Sequence, residues 1–486
     1  MHSHSISLTD VTVSRGAVEV LSGATLVVGP GHRVGVVGPN GVGKTTLLQV
    51  ISGLETPERG SVRRVPPDLR VGYLAQEADG RRGETVSSYL ERRTLAGQTR
   101  IATTIAELGL SGRLNDSLQR LSGGQAARVQ LAAVLLSRFD VYCLDEPTND
   151  LDFDGLDRLD RFVAAVRGSV VVVSHDRAFL DRNVSRVVEL EQGTRGLREW
   201  AGGWGEYEQA RERARQLQYR RHADAEGRRR ELEALSRERR EQARGGSSLG
   251  KRTGGADRRA TKALRSKVRQ AERALERLGP VEKPFEPWRL RIELEPAARG
   301  SNLVVRLEQA VVKRGTFRLG PLDFELYRGE RVAITGRNGS GKSTLLGAIA
   351  GSLPLTTGRR ELGRGAVLGE LEQARATFAV GEPLVEAFPG PVEASRTLLA
   401  KFGLGADDVL RPARTLSPGE RTRAQLALLS ASGVNCLMLD EPTNHLDLPA
   451  IEELEAALQD YPGAVVLISH DRRLLERLGP TRQVEL

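Results

Sequence analysis

Two kinds of hydrophobic patterning divide the chain. Towards both ends, short unbroken apolar runs alternate with helical stretches, while the middle is polar with only a thin apolar stripe. The runs Arg33–Val37, Val141–Leu144 and Val170–Val173, with Arg331–Thr335 and Cys436–Leu439 in the second half, have the length and continuity of strands buried on both faces of a parallel sheet. Thr45–Ile51 and Ser343–Ile349 read as helices that follow two of them. Between Glu206 and Pro280 the pattern changes to two long polar helices around a break at Gly245–Gly250 and Gly254–Gly255. The second helix carries Leu264, Val268, Ala271, Leu275 and Leu278, a stripe that meets a partner helix; the first carries Ala210, Ala214, Leu217, Leu232 and Leu235. An antiparallel helical hairpin satisfies both, with a longer arm of roughly 50 Å at about 1.5 Å per residue. Pro280, Pro284 and Pro287 then stop the returning helix.

The two ends are the same text written twice. Gly38-Pro-Asn-Gly-Val-Gly-Lys44-Thr45 returns as Gly336-Arg-Asn-Gly-Ser-Gly-Lys342-Ser343, and Leu121-Ser-Gly-Gly-Gln125 as Leu416-Ser-Pro-Gly-Glu420. Asp145-Glu146-Pro-Thr-Asn recurs from Asp440, and Ser174-His175-Asp176 recurs from Ser469. The expected organisation is an α/β protein with domains at 1–204 and 297–486, joined by a helical hairpin linker at 205–296.

Charge changes the picture of the middle segment. The chain of 486 residues has 72 basic and 63 acidic residues, a net +9. Glu206 to Pro280 alone holds 22 basic and 12 acidic residues, so the remainder is close to neutral. From Arg237 to Arg269 there are 12 basic and 3 acidic residues, which makes the expected hairpin tip an anion-binding finger, with Arg244, Lys251, Arg252, Arg258, Arg259 and Lys262 as candidate RNA contacts. The two cysteines, Cys143 and Cys436, are too few for a disulfide framework, a four-cysteine zinc site or an iron–sulfur cluster, and read as buried thiols. No apolar run reaches the 18 or so residues of a membrane span, and Met1–Ser5 lacks the order of a secretory signal, so a soluble, cytoplasmic protein is expected.

The chemistry sits in the repeats. A Gly-x-x-x-x-Gly-Lys-[Ser/Thr] loop between a strand and a helix wraps backbone N–H groups around phosphate oxygens. Lys44 and Lys342 would then bind the β/γ-phosphates of ATP, and Thr45 and Ser343 would ligate Mg²⁺. Gly38, Asn40, Gly41, Gly43 and Thr46 build the first loop, and Gly336, Asn338, Gly339, Gly341 and Thr344 build the second. Asp145 and Asp440, ending buried strands, would hold Mg²⁺, while Glu146 and Glu441 would orient and polarise the attacking water.

In this order, phosphate loop, Leu-Ser-Gly-Gly-Gln, Asp-Glu-Pro-Thr-Asn and Ser-His-Asp resemble the nucleotide-binding domains of ATP-binding cassette (ABC) ATPases, over nearly all of residues 5–200 and 300–486. The resemblance implies a head-to-tail sandwich with two ATP molecules at the interface. One site would combine Lys44, Gln76, Asp145, Glu146 and His175 with Ser417, Gly419 and Glu420 of the opposite signature. The other would combine Lys342, Gln373, Asp440, Glu441 and His470 with Ser122, Gly123, Gly124 and Gln125. Gln76 and Gln373 would sense Mg²⁺ and water, and both histidines would contact the γ-phosphate. Two departures stand out: Pro418 removes a backbone donor from the second signature, and Arg15 and Arg314 occupy the positions of the aromatic residue that usually stacks on adenine, where each guanidinium would stack instead.

Paired domains, Glu-Pro-Thr-Asn-x-Leu-Asp in both and a charged linker of about 80 residues resemble the ABC-F translation factors. That resemblance implies a monomer whose linker enters the ribosomal tRNA exit site towards the peptidyl-transferase centre when ATP closes the domains, with large-subunit rRNA and P-site tRNA as partners. The lengths between motifs and the short C-terminus resemble the antibiotic-resistance members of the family, which displace drugs from the large subunit. A housekeeping translation factor and a soluble ATPase subunit of a drug exporter are the alternatives.

Overall fold

The computed structural model describes residues 4–16, 18–75, 81, 83–249, 302–315, 317–371, 382–416, 418–444 and 446–486. It separates into one unit of Met1–Trp204 with Trp288–Leu486, and a second unit of Gly205–Pro287.

In the first half of the larger unit, β1 (Ser5–Arg15), β2 (Val18–Val28) and β4 (Arg59–Val65) form an antiparallel sheet with β1 in the centre. A second sheet follows the order β5 (Val71–Leu74), β6 (Val141–Asp145), β7 (Ser169–Val173), β3 (Arg33–Val37), β8 (Arg186–Leu190), β9 (Leu197–Ala201) and is parallel except for its last pair. Helix α1 (Lys44–Ser52) is packed in one core with both sheets: Leu47, Leu48, Val50 and Ile51 share it with Ile6, Leu8 and Leu26 from one and Val141 and Val171 from the other. The remaining helices of this half are α2 (Val86–Thr94), α3 (Gln98–Glu107), α4 (Gly123–Leu136), α5 (Phe153–Ala165) and α6 (Arg177–Asn183).

The second half repeats the plan. Strands β10 (Leu303–Arg314), β11 (Phe317–Tyr327) and β13 (Thr357–Leu362) make the antiparallel sheet. The parallel sheet follows the order β14 (Leu368–Leu371), β15 (Cys436–Asp440), β16 (Ala464–Ile468), β12 (Arg331–Thr335), β17 (Arg482–Glu485). Strand β15 shows why such strands read as unbroken apolar runs: Cys436 and Met438 face one core, with Leu345 and Ile349, whereas Leu437 and Leu439 face another, with Leu399, Leu454 and Leu458. Both cysteines are free and buried, and burial pushes the Cys436 thiol up to about 12.

Helix α7 (Trp204–Leu249) is the first of the expected polar helices. It corrects one expectation, since it runs through Gly245 and Gly246 instead of breaking there. A glycine costs only about 1 kcal/mol against alanine inside a helix, which the preceding run of good helix formers offsets. The returning helix lies outside the described residues. In the second half the helices are α8 (Lys342–Ala350), α9 (Val392–Lys401), α10 (Ala406–Leu410), α11 (Pro418–Ala431), α12 (Leu448–Asp460) and α13 (Arg472–Leu478).

Candidate functional site: two phosphate loops where the halves meet

Each phosphate loop is shaped by glycines that tolerate no side chain. Gly43 caps α1 at φ +118°, and a Cβ there would lie 2.6 Å from the Val20 carbonyl oxygen; at Gly38 the clash would be 2.7 Å from the Leu190 oxygen. In the second loop a Cβ on Gly336 would sit 2.5 Å from the Leu486 oxygen, and one on Gly341 2.7 Å from Cζ of Phe317. Gly41 and Gly339 also have positive φ, with open space around them. Lys44 Nζ donates to the carbonyls of Gly38 (2.7 Å) and Pro39 (3.0 Å), and Lys342 Nζ to those of Gly336 (2.8 Å) and Arg337 (3.2 Å). Burial holds both ammonium groups below their ordinary range, against the opposing pull of nearby carboxylates. Thr46 and Thr344, one residue into each helix from Thr45 and Ser343, are buried.

The strand ends bring the acids to the loops. Asp145 accepts a hydrogen bond from Tyr73 Oη at 3.1 Å and lies within reach of the Thr45 hydroxyl, and Asp440 has the same relation to Ser343. Burial raises both carboxyls. Glu146 and Glu441 follow with φ of +49° and +45°, a left-handed backbone rare outside glycine, pinned by their N–H groups donating to Val173 and Ile468 at 2.9 Å. Burial pushes Glu146 up to about 7 and Glu441 up to about 8. The His175 N–H donates to Glu146 Oε2 at 3.3 Å and its Nε2 stands 3.1 Å from Oε1; the His470 pair has 3.3 and 3.5 Å. Burial pushes His175 down to about 3 and His470 to about 4, so both rings are neutral.

The halves meet head to tail. Asn338 donates from its backbone to Asp152 Oδ2 (2.9 Å) and from its side chain to the Asp150 oxygen (2.8 Å). Reciprocally, the Asn40 N–H donates to Asp447 Oδ2 (3.2 Å). Gly124 in the first signature approaches the opposite loop so closely that a Cβ would lie 2.6 Å from Asn338 Nδ2. Ser122 caps α4, with Gln125 donating its N–H to Ser122 Oγ and receiving the Ser122 N–H in return; Gly123 opens the helix. A cavity of about 130 Å³ between the halves is lined by Gly124, Asn338, Glu441, His470 and His175 among others. Away from the loops, Arg177 and Glu455 form a fully buried ion pair across the halves, and Arg472 pairs with Asp157 at 2.6 Å.

Among the expected site residues, Gln76, Gln373 and Ser417 lie outside the described residues, as do Lys251, Arg252, Arg258, Arg259 and Lys262; Arg244 falls within α7. Pro418 opens α11, with Gly419 following, and Glu420 Oε2 accepts from Arg411 at 2.8 Å. Proline suits a first helical position, because its missing N–H has no helical partner there. Arg15 is exposed and donates to Glu55 (2.7 Å) and Gln49 (3.2 Å); Arg314 ends β10. Sequence reasoning missed Tyr73, Phe317, the backbone carbonyl of Asp150 and the carboxylates Asp152 and Asp447. For Asp152 and Asp447 a signal existed, the repeated Leu-Asp that follows Glu-Pro-Thr-Asn and one further residue; for Asp150, Tyr73 and Phe317 only the packing reveals the role.

Two phosphate loops, one facing Gly124 of the first signature and the other meeting Asp447 across the halves, are the arrangement of paired nucleotide-binding domains of cassette type. The family model described as ABC transporter matches residues 21–149 and 319–444. The tylosin resistance ATP-binding protein TlrC of Streptomyces fradiae is 34% identical over 98% of this chain and 96% of its own. ABC transporter F family member 2 of Arabidopsis thaliana is 31% identical over 98% of this chain and 76% of its own. Among solved structures, the archaeal ribosome recycling factor aABCE1, in complex with the ribosomal stalk protein aP1, matches with a TM-score of 0.63 at 20% identity, covering 96% of this chain and 86% of that one, which is a likeness of fold. The chain belongs to the ATP-binding cassette family, and within it to the F branch. Among the described residues no helix is long and apolar enough to cross a membrane.

Proposed function

We propose that the chain is an ATPase that binds the ribosome in its ATP state, directs the basic linker towards the tRNA exit site and the peptidyl-transferase centre, and displaces antibiotics from the large subunit. The observation that carries the ATPase part is the approach of Gly124 to Asn338 beside Glu441 and His470, which puts a helix N-terminus of one half against the phosphate loop of the other.

The residues fit ATP with Mg²⁺. Lys44 and Lys342 are buried with their ammonium groups donating to carbonyls of their own loops, and Oε1 of Glu146, Oε1 of Glu441 and both ring nitrogens of His470 are buried without a hydrogen-bond partner among the described residues. Thr45 with Asp145, and Ser343 with Asp440, would hold Mg²⁺, which when bound neutralises phosphate charge and polarises the transferred group. Glu146 and Glu441, with carboxyls near neutrality, accept a proton from water positioned beside them. Neutral His175 and His470 steady that water without adding charge. Donors from Ser122 and Gly124, and from Ser417 and Gly419, would complete each site only when the halves are closed, so nucleotide stabilises the closed state and its hydrolysis releases it.

Two features support the ribosomal part: the arginine-rich linker suits a polyanion reached by a projecting helix, and a relative whose name records tylosin resistance aligns along nearly the whole chain. The test is translation in vitro with a panel of large-subunit antibiotics. The protein is expected to restore synthesis against at least one drug with ATP present, and failure across the panel would contradict displacement.

A further inference from the structure

The two ATP sites differ behind the metal carboxylate. In the first half a chain of donors runs one way: Arg15 Nη2 donates to Gln49 Oε1 at 3.2 Å, the Gln49 side chain reaches the Tyr73 hydroxyl, and Tyr73 Oη donates to Asp145 Oδ2 at 3.1 Å. Glu55 anchors the outer end on Arg15 at 2.7 Å. The two outer bonds, with the Gln49 contact between them, are aligned towards Asp145, and aligned dipoles reinforce one another. The second half has other residues at the corresponding positions. Aligning α1 with α8 and β5 with β14 puts Gly347 where Gln49 stands, Leu353 for Glu55 and Glu370 for Tyr73. Gly347 has no side chain to continue a relay, and Leu353 packs over it, with Cδ1 2.8 Å from where a Cβ would lie. A carboxylate at 370 has no hydroxyl proton to give to Asp440 at neutral pH.

We infer that Tyr73, Gln49 and Arg15 are positioning residues for the first ATP site alone, fixing the Asp145 carboxylate for its metal so that the two sites hold metal–nucleotide unequally. The inference rests on the proposed assignment of Asp145 and Asp440 as the metal carboxylates. A fixed carboxylate loses less orientational freedom on binding a cation than a free one, and removal of one net hydrogen bond corresponds to about threefold to tenfold in affinity.

The test is equilibrium Mn²⁺ binding in the presence of ATP, read by electron paramagnetic resonance on the full chain. An Asp440→Asn background leaves the first site and an Asp145→Asn background leaves the second. Tyr73→Phe is expected to weaken Mn²⁺ about threefold to tenfold in the first background and to leave the second unchanged. Arg15→Ala, an exposed change that does not threaten folding, is expected to act in the same direction, and Arg15→Lys to restore part of the loss. Unchanged Mn²⁺ binding in the first background, or equal loss in both, would overturn the inference. A chain carrying Asp145→Asn and Asp440→Asn together that binds Mn²⁺ with ATP as tightly as the unaltered protein would overturn the metal assignment itself, and the inference with it.

Discussion

At Gly43 the backbone adopts φ +118° and a Cβ would sit 2.6 Å from a carbonyl oxygen, so Gly43→Ala must deform the first phosphate loop. ATP binding at that site is expected to be lost while the second site is retained, a halving of stoichiometry measurable by nucleotide titration. Glu146 and Glu441 act on the chemical step instead. Each Glu→Gln change is expected to lower turnover at its own site by about 10²–10⁴, with nucleotide affinity intact, as single-turnover kinetics would show. These residues were legible in the sequence because their geometry is local: a strand, a glycine loop and a helix within a dozen positions specify the phosphate site. Tyr73 was not, and Asp152 and Asp447 showed as a repeated Leu-Asp without their partners, because each acts on a group brought near only by packing. Asp152 meets Asn338 across 186 positions of chain, and no periodicity records that.

Among the elements, α6 and α12 carry the buried contact between the halves. Glu455 accepts from Arg477 at 2.9 Å as well as from Arg177, so it is the loss of Glu455 that leaves a buried charge alone, on Arg177; Glu455→Leu is expected to cost about 3–5 kcal/mol in urea unfolding, and Glu455→Leu with Arg177→Met considerably less. Beside that pair, Asp176 caps α6, and burial pushes its carboxyl up to about 6, with Asp471 across the interface adding to the shift. Asp160 acts in the same direction, while Arg182 opposes it; Arg177 is the next residue. A carboxyl whose folded value is raised binds its proton more tightly when folded, so its contribution to stability falls as pH rises from about 4 to about 6 and stays low above. Asp176→Asn keeps the cap and removes that penalty. It is expected to raise the melting temperature at pH 8 more than at pH 4, and an equal change at both would contradict the account. The inner strands were legible as apolar runs, and the two helices after the loops to within a residue or so at each end. The outer antiparallel sheets were not, since β4 and β13 are largely exposed and carry little hydrophobic signal. Helix α7 runs past the Gly-Gly pair because glycine inside a long helix is a small cost.

For the whole molecule, the excess positive charge belongs to one segment: 22 basic against 12 acidic residues between Glu206 and Pro280, within a chain of net +9. The two cassettes contribute nothing to it, so the anionic partner is expected to be met by the linker and the ATP sites to control when. Binding that depends on arginines neutralising phosphates weakens steeply with salt, and neutralising Arg237, Arg239, Arg240 and Arg244 together is expected to reduce both affinity and its salt slope. The most direct measurement is sedimentation of the Glu146→Gln, Glu441→Gln chain with ribosomes, with ATP and with ADP. Retention with ATP and loss with ADP is the predicted result; no retention with ATP, or equal retention with either nucleotide, would contradict the account.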